Sequence, residues 1–378
     1  MNDSPQRGAP SGGHQARPPS AAGLIIRQKE PLNLEMAFDQ VDSFLTPTER
    51  FYIRSHFAAP SLEFASYRLH IEGAVSRPFS LTYEDLRALP GETRVAMLEC
   101  AGNSRVFLVP QVEGVQWELG AAGNAEWTGV PLQTLLERAG LDADACEVVL
   151  EGADRGRPSK PPLPPGPIGY ARSLSRQKAL QPEVLIAYRM NGRDLSLDHG
   201  YPVRAIVPGN YGMASVKWLT RICAVREPFA GYWQTADYAY WDEVGGQPVR
   251  RALGAMQVKA EIARPRMYDV LAPDQPYTVC GAAWAGESAV TEIAVSTDGG
   301  QTWAEAQWLD PLGRHAWRRW RFEWRTPARP GKYTLLARAK DAQGAAQPAQ
   351  YDPKYASYVI NYPLPIEVWV DDPTEALR

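Results

Sequence analysis

Cysteine is scarce in this sequence: 378 residues carry four, at Cys100, Cys146, Cys223 and Cys280. They are far apart, with no C-x-x-C pair and no C-x-x-C-H haem-attachment site, so neither a cysteine-rich zinc module nor a c-type haem is encoded. A disulfide framework is not expected at this density, and a reducing compartment fits best. Long apolar runs are also missing; none approaches the ~20 residues that span a bilayer. Charge of either sign is not in excess: 40 Lys and Arg against 43 Asp and Glu leave a net −3. A chain so balanced gives no support to a nucleic-acid or membrane-surface role, and any basic cluster must be local. Two phosphate-binding loops are absent as well. There is no G-x-x-x-x-G-K-[ST] pattern, and no G-x-G-x-x-G opens a helix.

The first residues, MNDSPQRGAPSGGHQARPPSAAG, hold Pro, Gly, Ser and Ala but no apolar signal core and no twin arginine. Residues 1–22 therefore read as a disordered tail, and a cytoplasmic location is the expectation.

What is present suits two domains. From 23 to 250 strands and helices mix without a regular βαβ rhythm, which predicts an α+β domain. SYRLHIEGAV places Tyr67, Leu69 and Ile71 on one face of a strand. LTYEDLRALPG offers Thr82 as N-cap with Asp85 three residues on. TRVAMLEC reads as a buried strand ending on Cys100. PLQTLLERAG is a helix stopped by Gly140, CEVVLEG is another buried strand, and EVLIAYRMNGRDL is a hairpin turning at Asn191-Gly192. SVKWLTRICAV alternates Val216, Trp218 and Ile222 and reads as one strand. From 251 to 372 helical periods vanish. Short strands recur at regular spacing, and Trp320, Phe322 and Trp324 alternate with Arg319, Arg321 and Glu323, predicting an all-β immunoglobulin-like sandwich.

Three segments hold residues fit for chemistry. Cys100 follows a buried strand and precedes Ala-Gly, with Arg105 five residues on. A buried core thiol and a metal-binding thiolate both fit that setting. No second Cys or His stands near enough for a four-ligand zinc site, so other ligands must come from elsewhere, such as a metal-bearing organic cofactor. In FYIRSHFAAP, Arg54 and His56 lie two apart and point the same way if the chain is extended. In DHGYPVRAIVPGNYGMASVKWL, His199, Arg204 and Lys217 flank Gly-containing turns, an arrangement that can hold a phosphate.

Read in order, FYIRSH, ECAGNSR, LEGADRG, the run from EVLIAYRMNG through DHGYPVRAIVPG to SVKWL, and GYWQTADY resemble the sulfite oxidase family of molybdopterin enzymes, in its bacterial, haem-free form. The resemblance implies that Cys100 ligates molybdenum. It implies that Tyr52, Ile53, Arg54, Ser55, His56, Asp154, His199, Arg204, Ser215, Val216 and Lys217 bind molybdopterin. Tyr238 matches the family's catalytic tyrosine, and Arg54 and Arg105 match its substrate-pocket arginines. Tyr170 and Ser173 match a family segment without a derived role. Oxygen-atom transfer follows, with a small oxyanion, sulfite, as the expected substrate and homodimerisation through the second domain.

The pattern also departs from the family. Too few residues precede the molybdenum domain for the haem domain of the animal enzymes, so no haem is expected in this chain and electrons are expected to leave to an external acceptor such as a cytochrome. Ser104 stands where animal and plant enzymes have Arg. The second domain's substrate arginine has no match in YDPKYASYVINYP, which offers Lys354 and Tyr358; Arg314 or Arg318 are candidate substitutes. A reductase of sulfoxide or nitrate, and a scaffold that has lost its metal, are the alternatives.

Overall fold

The computed structural model describes residues 23–371, so the tail expected over 1–22 lies outside the described residues. The chain opens with a ribbon of β1 (Leu24–Gln28) and β2 (Asn33–Met36). There follow β3 (Leu69–Gly73), β4 (Phe79–Leu81), α1 (Tyr83–Ala88), β5 (Glu92–Glu99), β6 (Ala122–Pro131) and α2 (Leu132–Ala139). Then come β7 (Glu147–Gly156), β8 (Ile168–Ser175), α3 (Arg176–Ala179), β9 (Leu185–Met190), β10 (Arg193–Asp194), β11 (Arg204–Ile206) and β12 (Leu219–Val225). These strands make two five-stranded sheets, ordered β10-β9-β6-β5 with β11 also on β9, and β4-β3-β12-β7-β8. Only β12 against β3 is parallel within them.

Local chemistry explains the ends of these elements. Thr82 and Asp85 form a reciprocal capping box at the start of α1, satisfying two otherwise orphaned N–H groups. Gly140 closes α2 in the left-handed conformation. Asn191 and Gly192, with φ of 49° and 74°, make the tight turn between β9 and β10. Leu69 and Ile71 of β3, with Tyr67 just before it, face inward while His70 is exposed.

β5 shows why TRVAMLEC reads as an unbroken apolar run. Met97 and then Ala101, past its end, face the main core between the sheets, while Ala96, Leu98 and Cys100 face a second core with Phe51, Trp117 and Trp127. A strand buried on both faces has no polar side to alternate. Cys100 therefore sits on the face that meets the residue 51–56 segment.

One expected strand is shorter than its alternation predicts. β12 begins only at Leu219; Trp218 has φ 50°, and its indole Nε1 donates to Leu197 O at 2.8 Å. The stretch 215–218 is pulled out of the sheet: Ser215, Lys217 and Trp218 line a cavity, while Val216 turns into the main core.

After α4 (Tyr232–Thr235), β13 (Ala239–Val244) and β14 (Gln247–Ala252) form an exposed hairpin that hydropathy patterning did not reveal. The second domain has β15 (Lys259–Arg264), β16 (Val270–Leu271), β17 (Pro276–Trp284), β18 (Val290–Ser296), β19 (Ala304–Glu305) and β20 (Gln307–Trp308). It ends with β21 (Arg318–Arg325), β22 (Gly331–Asp341) and β23 (Ile366–Val370). Two sheets, β15-β17-β21-β20 and β16-β23-β22-β18-β19, form the expected sandwich. Trp320 and Trp324 lie in its core with Val279, Ile293 and Val368.

The domains are interlocked around Cys100. Val359 N donates to Ala101 O at 2.8 Å, Met97 N to His315 O at 2.7 Å, and Trp317 Nε1 to Phe44 O at 2.8 Å. Trp284 and Trp317 of the second domain bury themselves in the first domain's core.

Candidate active site

Beyond Glu99 the chain turns sharply. Cys100 N donates to Ala121 O, Asn103 N to Cys100 O, and the Asn103 side-chain oxygen accepts from Ala121 N at 3.0 Å. Ser104 takes a left-handed φ of 71°, a conformation costing about 1–3 kcal/mol that surrounding contacts must hold. The reason for glycine at 102 is steric: a Cβ there would lie 2.0 Å from Arg105 Nη2, and one on Gly114 would lie 2.7 Å from Nη1. The two glycines leave a slot for the guanidinium. Arg105 Nε donates to Ser357 O at 2.9 Å and Nη1 to Val115 O at 2.7 Å, which fixes the charge in place.

Behind this turn is a buried ionic cluster. Lys259 Nζ lies 3.1 Å from Glu99 Oε1 and 2.8 Å from Glu261 Oε1, and donates to Ser104 Oγ at 2.9 Å. Ser104 Oγ donates on to Glu261, and Trp284 Nε1 donates to Glu99 Oε2. Burial pushes the Glu261 carboxyl up to about 7, although Lys259 and Ser104 oppose the shift. The cation beside position 104 thus comes from β15 of the second domain.

Facing Cys100 is the extended segment Phe51–His56. Ile53 pairs with Leu34 through two main-chain hydrogen bonds, and Asn33 Oδ1 accepts from Ser55 N at 2.9 Å and Arg54 Nη1 at 3.3 Å. Arg54 and His56 both line the cavity, as does every residue of this segment. His56 Nε2 and Tyr238 Oη are 2.6 Å apart, and the imidazole stacks on Tyr170 with centroids at 4.5 Å. Burial, then Arg54 and Lys217, hold His56 well below its ordinary value, so it is neutral near pH 7. The same imidazole touches the Trp233 ring, 4.5 Å away. Tyr238 is buried, carries a left-handed φ of 48°, and is pushed up by its burial; it is a phenol, not a phenolate.

The inner end of the cavity is cationic. Arg204 donates to His199 O at 2.9 Å and Ser215 O at 3.1 Å, with its guanidinium 5.0 Å from the Trp127 ring centroid. Lys217 Nζ donates to Ser55 Oγ at 2.7 Å and Asp198 O at 2.9 Å. Burial drives Lys217 down and Asp154 up from their ordinary values. His199 is lowered to about 3 by burial and by Arg204 and Lys217, with the Phe51 main chain pulling weakly the other way. Its Nδ1 meets Ser196 Oγ at 2.8 Å, but Nε2 is buried without a well-formed hydrogen bond. Such an orphan is costly unless a ligand fills the gap.

Among the site residues expected from the sequence, Tyr52, Ile53, Arg54, Ser55, His56, Cys100, Asp154, His199, Arg204, Ser215, Lys217 and Tyr238 line one cavity. Val216 does not join them, because its side chain turns into the main core, and Arg105 lines the adjoining outer cavity with Cys100, Arg54 and Tyr238. Tyr170 lines the inner cavity, whereas Ser173 does not. The proposed substitutes for a second-domain arginine fail. Arg314 is exposed and bridges Glu183 and Glu287, Arg318 donates to Asp310 O and Val290 O inside the sandwich, and Lys354 pairs with Asp352 in solvent. Tyr358 does reach the cavity. Sequence reasoning missed Lys160, Lys259 and Glu261, which carry no motif, and gave no role to Asp237 within GYWQTADY; nothing in the sequence of β15, KAEIAR, marks Lys259 and Glu261 as buried.

The donor set fits an anionic, phosphate-bearing cofactor with a soft metal. One thiol stands at one end, and Arg54, Arg204 and Lys217 outnumber the lining carboxylates Asp154 and Asp198. An orphan imidazole nitrogen adds a further polar contact for a ligand.

Comparison with known proteins agrees. The oxidoreductase molybdopterin-binding domain family matches residues 56–233, and the Mo-co oxidoreductase dimerisation domain family matches 250–358. Sulfite oxidase of Gallus gallus is 34% identical over 357 residues, covering 89% of this chain and 75% of that protein. The mitochondrial sulfite oxidase of Mus musculus is 33% identical, with the chain covering 61% of its length. The sulfane dehydrogenase SoxCD of Paracoccus pantotrophus superposes with a TM-score of 0.77 at 27% identity, covering 89% of this chain and 84% of that one. With both domains matched in order and the thiol, the arginines and the cationic pocket assembled in one place, the chain belongs to the sulfite oxidase family of molybdopterin oxidoreductases.

Proposed function

We propose that this protein oxidises sulfite to sulfate by oxygen-atom transfer and passes the electrons to a separate acceptor, such as a cytochrome. The observation that carries the reading is the joint cavity in which Cys100, Arg54, Arg105 and Tyr238 meet. When bound, the molybdenum cofactor supplies the oxygen-transfer and two-electron chemistry. Cys100 is the thiolate for the metal. Lys217, Arg204 and Ser215, with His199, hold the phosphate and pterin. Tyr52, Ile53, Ser55 and Asp154 shape the inner wall. Arg54 and Arg105 set fixed positive charge where a dianion binds and where charge develops on the transferred oxygen. The Tyr238 phenol donates its one proton to a substrate oxygen, and neutral His56, 2.6 Å away, then donates Nε2–H to the phenol oxygen and holds it in place. The protein acts as a homodimer through the second domain.

The test is molybdenum and pterin analysis of the purified protein, then a steady-state assay with sulfite and ferricyanide. Sulfite turnover by a protein holding one molybdenum per chain is expected; a loaded protein without sulfite turnover refutes the substrate assignment. The likeness to the sulfane dehydrogenase favours a second reading, in which the substrate is a sulfane sulfur. A parallel assay with a protein-bound or organic sulfane substrate distinguishes the two.

A further inference from the structure

The outer cavity runs from Cys100 past Arg54, Arg105 and Tyr238 to a wall formed by Lys160, Asp237 and Tyr358. The cations along it, Arg27, Arg54, Arg105, Arg157 and Lys160, are not equivalent. Arg27 is paired with Glu35 and Glu118, and Arg157 is exposed to solvent. Arg54 is tied to Asn33 Oδ1 and Ser55 O, and Arg105 to Ser357 O and Val115 O, so both spend donors on the protein. Lys160 belongs to the Pro-rich stretch 157–167, outside any strand or helix, and its side chain is 29% exposed. This segment is anchored by its own carbonyl, which accepts from Tyr232 Oη at 2.7 Å. The ammonium has one good acceptor, Tyr358 Oη at 3.1 Å, and lies 5.1 Å from that ring's centroid.

The partnership with Asp237 is loose. Lys160 Nζ lies 3.6 Å from Asp237 Oδ1, beyond a good hydrogen bond. That same oxygen already accepts from Tyr238 N at 3.0 Å and from Tyr358 Oη. Asp237 is therefore satisfied without the lysine. Lys160 is left with donors free for a route lined mainly by cations, rather than locked in a pair. A compact ammonium on a four-carbon stem can swing to follow a ligand, as a guanidinium clamped on both edges cannot.

We propose that Lys160 is the substrate-reading cation of this cavity: it is parked on Tyr358 and Asp237 when the outer cavity holds no anion, and it turns its remaining N–H donors onto an oxygen of a small dianionic oxyanion when one enters. Asp237 competes with the anion for the ammonium. Tyr358, contributed by the second domain, sets where the ammonium rests. This inference rests on the sulfite-oxidising reading for its substrate, but its binding claim stands on the cavity alone.

The experiment uses the molybdenum-loaded protein with two variants, Lys160→Met and Asp237→Asn, and two readouts. The first is the KM and kcat for sulfite; the second is the affinity for sulfate, an unreactive dianion, by calorimetry. Lys160→Met keeps the apolar stem and should raise KM and weaken sulfate about tenfold to a hundredfold, the worth of a hydrogen bond to a charged group, with kcat changed less than about threefold and metal content unaltered. Asp237→Asn keeps the acceptor for Tyr238 N and Tyr358 but removes the competing charge, so it should tighten sulfate. The proposal is overturned if Lys160→Met leaves sulfate affinity within twofold of wild type, if Asp237→Asn weakens it, or if the wild-type protein binds no sulfate. Should the wild type bind sulfate yet not oxidise sulfite, the substrate assignment fails while the role of Lys160 is still decided by the calorimetry.

Discussion

Lys259 Nζ of β15 stands 3.1 Å from Glu99 Oε1 at the end of β5, one residue before Cys100. Both side chains are buried, at 2% and 3% exposure, so the second domain reaches through the interface to hold the turn that carries the thiol. Removing one partner of such a cluster leaves charge buried and unpaired. Lys259→Met should destabilise the protein by about 3–5 kcal/mol, read as a lower urea midpoint, and should lower molybdenum content. If the midpoint does not move, the ionic cluster does not hold the domains together.

The thiol itself is isosterically replaceable. Cys100→Ser should fold with wild-type circular dichroism and lose turnover by more than about a hundredfold, because a serine hydroxyl is a poor ligand for a soft site. X-ray absorption at the molybdenum edge should lose one sulfur neighbour. Oxidation of sulfite at the wild-type rate would remove Cys100 from the metal.

Tyr238→Phe keeps the ring packed on Tyr358, 5.0 Å away, but deletes the hydroxyl that meets His56. The expected result is a fall in kcat of about a hundredfold or more, the range for a positioned proton donor, with a smaller change in KM. Equal kcat in a pre-steady-state reduction would show that the phenol only packs.

Glycine at 102 is dictated by the Arg105 guanidinium. Gly102→Ala puts a methyl group 2.0 Å from Nη2, so either the turn or the arginine must move. A stability loss of about 1–3 kcal/mol is expected, together with a raised KM for sulfite. A crystal structure of the variant with Arg105 undisturbed would contradict this.

The pH dependence has a definite sign. His199 titrates at 6.5 when free and at about 3 when folded. Between those values the unfolded chain takes up a proton that the native protein refuses, so stability present above pH 6.5 is lost as pH falls toward 3. The slope from such a group is at most about 1.4 kcal/mol per pH unit. His56, also lowered, adds to the loss over the same side of neutrality. Urea unfolding of the cofactor-free protein from pH 7 to 4.5 should show it, and His199→Gln should flatten the curve.

Much of the fold was legible because its signals are local. The capping box at Thr82 and Asp85, the Gly140 stop and the Asn191-Gly192 turn each act within a few residues. The alternation in β21 was equally plain, since one of its faces is buried and the other largely exposed. The 215–218 stretch misled for a physical reason: Trp218, with φ 50°, is buried against the cavity while Val216 is buried in the core, and in sequence two buried residues two apart look like one strand face. Val216, which the family resemblance assigns to the cofactor, has its side chain in the core.

The sequence alone determined where the turns and strands fall, and which segments concentrate thiol, guanidinium and imidazole groups, because hydrophobic period and turn chemistry are properties of neighbours along the chain. Only the tertiary structure decided that Lys160 and Tyr358, 198 positions apart, share a hydrogen bond at the rim of the cavity, and that Lys259 stands behind Cys100. A lone lysine in a proline-rich stretch or in a buried strand has no periodic signature. Its partners come from distant elements, and which charge it meets is fixed by how the two domains close on each other.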